Sequence, residues 1–348
     1  MDAKITKKRL AGMLSYDWLK IVALIVAFII VWMLVFTMTA TRITPAQQFT
    51  VFNYSSNGAL SNDFFNFYNK TRTNGVFSYE VIETNFTDLT TGSEYASTVL
   101  EARVSVEEGD VMFVPAIDDT STAYEVEVDN PSGEGKTKQT KYGRTYLESF
   151  VAGYFPMIYN LDPNAQNGYF KQMEAFLDTY YTQGYRNENS LDEERVKADF
   201  VARITKNGDK RFKTQEEIEQ GKADEVERIQ KYRAALIKFL DEYLNVYVTI
   251  THVDLKNMDG SLYKNAAGED MEGGAYAINL CPDEDKMKNL HKQVFYYVTS
   301  DTDKETYKKV AKDMQVCLFN FKSVRDGFQY ESLLYINALI EECRTKTA

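Results

Sequence analysis

Residues 21–41 read IVALIVAFIIVWMLVFTMTAT, an uncharged run of 21 residues closed by Lys20 on one side and Arg42 on the other. As a helix that length spans about 30 Å, the thickness of a bilayer's hydrocarbon core. A buried helix of a soluble domain normally carries polar residues over such a length, so the run predicts a membrane-spanning segment. Lys4, Lys7, Lys8, Arg9 and Lys20 precede it against Asp2 and Asp17. Basic flanks stay cytoplasmic, which puts residues 1–20 inside and residues 42–348 outside the cell. The run is longer than a cleaved signal's apolar core, and TMTA is a poor small-x-small cleavage site, so the segment is expected to be retained. Only ITPAQQ, residues 43–48, separates Arg42 from the next patterned residues. Six residues reach roughly 20 Å when extended, which would hold the outer domain at the membrane surface.

The remainder is long enough for one large domain or two modest lobes. Its 21 Phe and 24 Tyr supply a core, while both Trp (Trp18 and Trp32) lie at or inside the apolar run. A formal net charge of −11 argues against a nucleic-acid role, since phosphate binding needs a basic face. Cys281, Cys317 and Cys343 form no CxxC and are odd in number, so they are expected as small buried thiols, with one bridge between two of them left open.

EARVSVEEGDVMFVPAIDD, residues 101–119, passes from acidic to apolar at Gly109 and breaks again at Pro115. Four apolar residues between Gly and Pro predict a strand buried on both faces, Val111 to Val114. Upstream, QFTVFNYSS reads as a strand. A helix with Phe64, Phe65 and Tyr68 on one face follows it. VFSYEVIETNF reads as a second strand alternating through Phe77, Tyr79 and Val81. A further helix carries Tyr95, Val99, Leu100 and Val104. Strand, helix, strand, helix, strand implies parallel pairing by right-handed crossovers. The expected fold is therefore α/β: a single transmembrane helix, a parallel-sheet lobe, and a largely helical second lobe across residues 146–244. Later strands are expected at NVYVTITHVDL, GGAYAINLC and KQVFYYVTS, a hairpin turn at Asp259-Gly260, and tail helices at KETYKKVAKDMQVCLF and YESLLYINALIEECR. TAYEVEVDNPSGEGKTKQTKYGRTYLE reads as a two-stranded excursion around residues 130–133.

The stretches FTVFNYSS, YASTVLEARVSVEEGDVMFV and GGAYAINL resemble the extracytoplasmic solute-binding proteins of bacterial ABC importers, in their two-lobed type II form. In that family a helix leads into the third strand of the first lobe, and a later strand returns from the other lobe. The resemblance implies a non-catalytic binding or accessory subunit on the outer face of a bacterial cell membrane. Its partners would be a membrane protein complex such as an ABC transporter permease, and a small polar solute. The chain departs from the family in its retained anchor, its short linker and the absence of Trp from the outer domain, which disfavours a stacked sugar.

Ligands of open α/β sheets sit beyond the carboxyl ends of the strands. That places Tyr54, Ser55 and Asn57 after the first strand, Asp118 and Asp119 after the third, and Tyr276, just past the flexible-looking Gly273-Gly274, as the ligand- or partner-binding residues. The plainer reading of the two aspartates is a wet loop, and of Tyr276 a core tyrosine. No cofactor or metal is expected: His252 and His291 show no metal-ligand spacing, and LKNMDGSLYKNA puts Leu255 and Ala266 where a calcium loop needs oxygen ligands. The alternative is an anchored, metal-dependent glycosyltransferase using Asp283 and Asp285, although acids after Pro282 are also an ordinary helix start.

Overall fold

The computed structural model describes residues 7–39, 43–53, 58–60, 75–89, 95–131, 133, 135–290, 294–296, 313–321 and 327–345. The chain divides into two compact units, Met1–Ile43 and Thr44–Ala348. The first is helix α1 (Lys7–Thr39), about 50 Å long at 1.5 Å per residue. Its span Trp18–Phe36 is long and apolar enough to cross a membrane, and none of that span is buried against protein. The span begins a little earlier than residue 21 because Trp18 and Leu19 extend the apolar surface past Lys20.

The second unit is built on a six-stranded sheet in the order β3-β1-β4-β10-β8-β7. Strands β1 (Gln48–Asn53), β3 (Glu83–Asp88) and β4 (Val111–Pro115) run parallel, with Val51 opposite both Phe86 and Val111. Strand β10 (Met314–Leu318) enters antiparallel beside β4, and β8 (Gly274–Asn279) and β7 (Thr249–Val253) continue antiparallel. The sheet is thus mixed rather than purely parallel. β4 carries the expected both-face burial. Val111 and Phe113 face one core with Phe49, Val51, Val316 and Ile278. Met112 and Val114 face the other with Phe52, Cys317 and Ala277.

Helices cover both faces. On one lie α2 (Ala96–Ser105) and α3 (Tyr146–Tyr154), contributing Leu100, Val104, Leu147, Phe150 and Val151. On the other lie α4 (Tyr169–Asp178), α5 (Glu193–Asn207), α6 (Gln215–Lys238) and α7 (Glu331–Cys343), contributing Phe170, Met173, Val196, Leu236, Ile336 and Leu339 among others. Each such side chain, fully buried, contributes about 1.5–3 kcal/mol. Local chemistry fixes where these helices begin: Thr145 with Glu148, and Thr214 with Glu217, form reciprocal capping boxes, and Asp192 caps α5. The helices of residues 146–244 therefore pack on the sheet, within the one compact unit.

The pattern along the chain departs from expectation at several places. The second strand occupies Glu83–Asp88, the last part of VFSYEVIETNF and two residues beyond it, rather than the whole of residues 76–86. Phe77 instead packs tilted against Phe49 at 4.6 Å between ring centroids, and Tyr79 reaches Glu225, so the aromatic half is consumed by tertiary contacts while the polar half pairs with β1. On α2 the buried positions are Ala96, Leu100 and Val104, leaving Tyr95 and Val99 exposed. Residues 314–318, expected in a helix, form β10 with every residue buried. On α6 Val226, Ile229, Tyr232 and Leu236 form a buried stripe, after which a π-turn (Phe239–Tyr243) shifts the register so that Phe239 is buried and Leu240 only half-buried. β7 starts at Thr249 because Asn245, at φ 62°, closes a turn onto Val248. KQVFYYVTS supplies β9 (Val294–Tyr296), which pairs with β2 (Gly58–Leu60) apart from the main sheet. The helix expected around Phe64, Phe65 and Tyr68 lies outside the described residues. The excursion is the hairpin of β5 (Ala123–Asp129) and β6 (Lys136–Tyr142), and the turn at Asp259-Gly260 is present, Asn257 N–H donating to the Ser261 carbonyl.

Candidate functional site

Of the residues expected to meet a ligand, Tyr54, Ser55 and Asn57 lie outside the described residues. Beyond β4 the chain turns to meet the start of α3. Tyr146 N–H donates to the Ile117 carbonyl, and Asp119 N–H to the Arg144 carbonyl, both at 2.9 Å. Successive side chains of an extended segment point opposite ways, and here that separates the acidic pair. Asp118 is exposed, while Asp119 is buried. Asp119 Oδ1 accepts from the Ser121 amide at 2.9 Å and the Ser121 hydroxyl at 2.7 Å, and Oδ2 accepts from the Ser149 hydroxyl. Its carboxylate closes a turn, leaving Asp118 as the solvent-facing acid.

Tyr276 is half-buried on β8 and packs against the core shared with α2 and α3. No contact joins it to either aspartate among the described residues. The preceding double glycine is a close backbone approach, not a hinge: a Cβ at Gly273 would lie 2.0 Å from the Val253 carbonyl oxygen, and one at Gly274 would lie 2.7 Å from Tyr276 Cε2. Asp283 and Asp285 stand in a turn, each facing a lysine three residues on, Lys286 at 3.8 Å and Lys288 at 3.3 Å. No group of three or more His, Cys, Asp or Glu positioned to hold a metal occurs among the described residues. His252 is exposed on β7 at 3.7 Å from Asp254, and His291 lies outside the described residues. All three cysteines are buried free thiols.

A different cluster concentrates the charge chemistry. Residues 77–81, α5, the connection after it, α6 and α7 bring together Arg203, Arg211 and Arg228 with Glu80, Asp209, Glu225 and Glu331. Arg228, 2% exposed, donates to Glu225 from Nε at 3.1 Å and Nη2 at 2.6 Å, and from Nη1 to the Gly327 carbonyl at 3.2 Å. Its guanidinium lies 4.2 Å from the Phe328 ring centroid. Arg203 bridges Tyr79 at 2.7 Å and Glu225 at 3.0 Å, and Arg211 grips both Glu80 oxygens at 2.9 Å and Asp209 at 2.6 Å. Burial works to raise the Glu225 carboxyl, but Arg228 and then Arg203 outweigh it and hold it below the usual carboxylate range. Burial, with Glu225 facing it, pushes the Tyr79 phenol far up. Sequence spacing gave no signal of this cluster, because its partners stand up to 253 positions apart, as in Ser78 N–H donating to Glu331 at 3.0 Å.

Glu331 is the acid of the group that burial pushes above the ordinary glutamate range, against the hydrogen bonds from Ser78 and from Tyr232 at 2.7 Å. A carboxyl with a raised folded pKa stabilises the fold most when protonated, and that contribution fades as pH rises past the unfolded value near 4.3. Glu331→Gln, which mimics the protonated acid, removes this dependence. The stability of the natural protein relative to Glu331→Gln is therefore expected to fall from pH 4 towards neutrality. Parallel melting curves across that range check it, and a difference that stays flat or rises overturns it.

Beside this cluster lies a cavity of about 270 Å³ between Gly75, Phe77, Ser78, Tyr79 and Val81 on one wall and Asp224, Glu227, Arg228 and Lys231 of α6 on the other. It stands before the start of β3, opposite in chain direction to the strand ends. Compared with known proteins, the chain matches no family model, no curated protein and no solved structure.

Proposed function

We propose that the protein is a single-pass, non-catalytic binding or accessory subunit on the outer face of a bacterial cell membrane, working beside a membrane complex such as an ABC transporter permease. The basic residues before Trp18 keep the N-terminus cytoplasmic and the α/β body extracytoplasmic. What supports the likeness to type II solute-binding proteins is one feature of the sheet: the late stretch GAYAIN forms β8, which shares a sheet with β1, β3 and β4 through the returning β10. In the two-lobed form of this reading, the helical residues 146–244 belong to the second lobe. A polar solute or partner loop would meet the residues after the parallel strands, Tyr54, Ser55, Asn57 and Asp118, while Tyr276, two residues before the Ile278 that lies level with Phe113, stands towards the other end of the sheet.

Purification of the intact chain in mild detergent, followed by mass spectrometry of its companions, is expected to recover membrane permease subunits in fixed proportion. Protease added to intact cells is expected to remove the body and leave α1. Recovery of the chain alone, or a body shielded from external protease, would overturn the proposal.

A further inference from the structure

The cavity beside α6 can be characterised by following the charge on its walls. Arg228 is neutralised by Glu225 through two hydrogen bonds. Lys231 pairs with Glu227 at 2.9 Å and reaches the Gly75 carbonyl at 3.4 Å. Asp224 differs from both. Its Oδ1 accepts from the neutral Gln220 amide at 2.8 Å, and no cation pairs with it among the described residues. Among the described residues Asp224 is therefore the charged group of the lining that no counter-ion pairs. The wall opposite α6 is formed by Phe77, Tyr79 and Val81 with Gly75 and Ser78. The Tyr79 hydroxyl is committed to Glu225 and Arg203, so what it can still offer a ligand is its ring. A carboxylate opposite aromatic rings is the arrangement that attracts an organic cation, through a charge-assisted hydrogen bond and the negative ring face. At about 30 Å³ per water the cavity holds roughly nine water volumes, room for a ligand of about ten non-hydrogen atoms.

We propose that this cavity binds a small organic ammonium, its charged end on Asp224 and its apolar end against Phe77, Tyr79 and Val81. This site is separate from the strand ends, and it stands or falls independently of the companion proteins sought above. Calorimetric titration of the full chain in detergent with tyramine, whose size matches, is expected to give saturable binding. 4-Ethylphenol, the same skeleton without the amine, is expected to bind at least about tenfold more weakly. Asp224→Asn is expected to weaken tyramine binding about tenfold while leaving the melting temperature unchanged, since Asp224 makes only a surface bond along its helix. Val81→Trp, which fills the cavity, is expected to abolish binding. No saturable binding of tyramine, putrescine or choline at millimolar concentration overturns the proposal, and so does equal tyramine affinity in Asp224→Asn.

Discussion

Arg228→Met is expected to destabilise the body by about 3–5 kcal/mol, because removing one member of a buried ion pair strands the other in a poorly solvating interior. Glu225 is 3% exposed, and Arg228 supplies two of its hydrogen bonds. Arg203 and Tyr79 remain on Glu225 Oε2, which places the loss towards the lower end of that range. The variant also leaves the Gly327 carbonyl without its donor and removes the cation from above the Phe328 ring. Since the fault is an unpaired charge rather than a lost shape, the double variant Glu225→Gln, Arg228→Met should recover more than half of the stability. Denaturant melting of the full chain in detergent measures both. An Arg228→Met protein within about 0.5 kcal/mol of the natural one, or a double variant no better than the single, would show that the pair is incidental.

How much of this was legible in the sequence varies with the range of the interaction that decides each element. The apolar helix and β4 are decided locally: one by an unbroken run, the other by four apolar residues between a glycine and a proline. β10 has an apolar run much like that of β4, yet it follows KETYKKVAKDM, whose spacing is helical, and a short apolar run alone does not separate strand from buried helix. Only its place between β4 and β8 decides the matter. β3 misled in the other direction. Aromatic alternation at Phe77 and Tyr79 suggested a ladder, but those rings are wanted by Phe49, Phe200 and Phe212, and the ladder falls to the polar residues that follow. The paired aspartates were visible as a pair, while their opposite fates depend on Ser149, which is 30 positions away from Asp119. The arginine cluster was not visible at all, since arginines on amphipathic helices ordinarily face water and nothing local marks Arg228 as the buried one.

Gly109 shows how a local signal acquires a tertiary cause. The acidic segment after α2 gives way to β4 at this residue, and Asp110 is at once tied to β1, its amide donating to the Thr50 carbonyl at 2.9 Å and its carboxylate accepting from the Thr50 amide at 2.8 Å. To reach that register the chain takes φ +139° at Gly109, a conformation essentially reserved for glycine. The space is closed as well: a Cβ there would lie 2.7 Å from Phe52 Cε2 and 2.9 Å from Phe319 Cδ2, two rings packed edge to face in the core under α3. Gly109→Ala thus combines backbone strain of about 1–3 kcal/mol with overpacking of about 1–3 kcal/mol. A total loss of about 2–6 kcal/mol is expected. Trimming Phe319 to leucine in the same chain relieves the clash but leaves the strain, so the double variant should regain only the packing part, measured against Phe319→Leu alone. If Gly109→Ala melts like the natural protein, then β4 is not held in this register by β1 and Phe319, and the placement of the sheet's central strand would have to be redrawn.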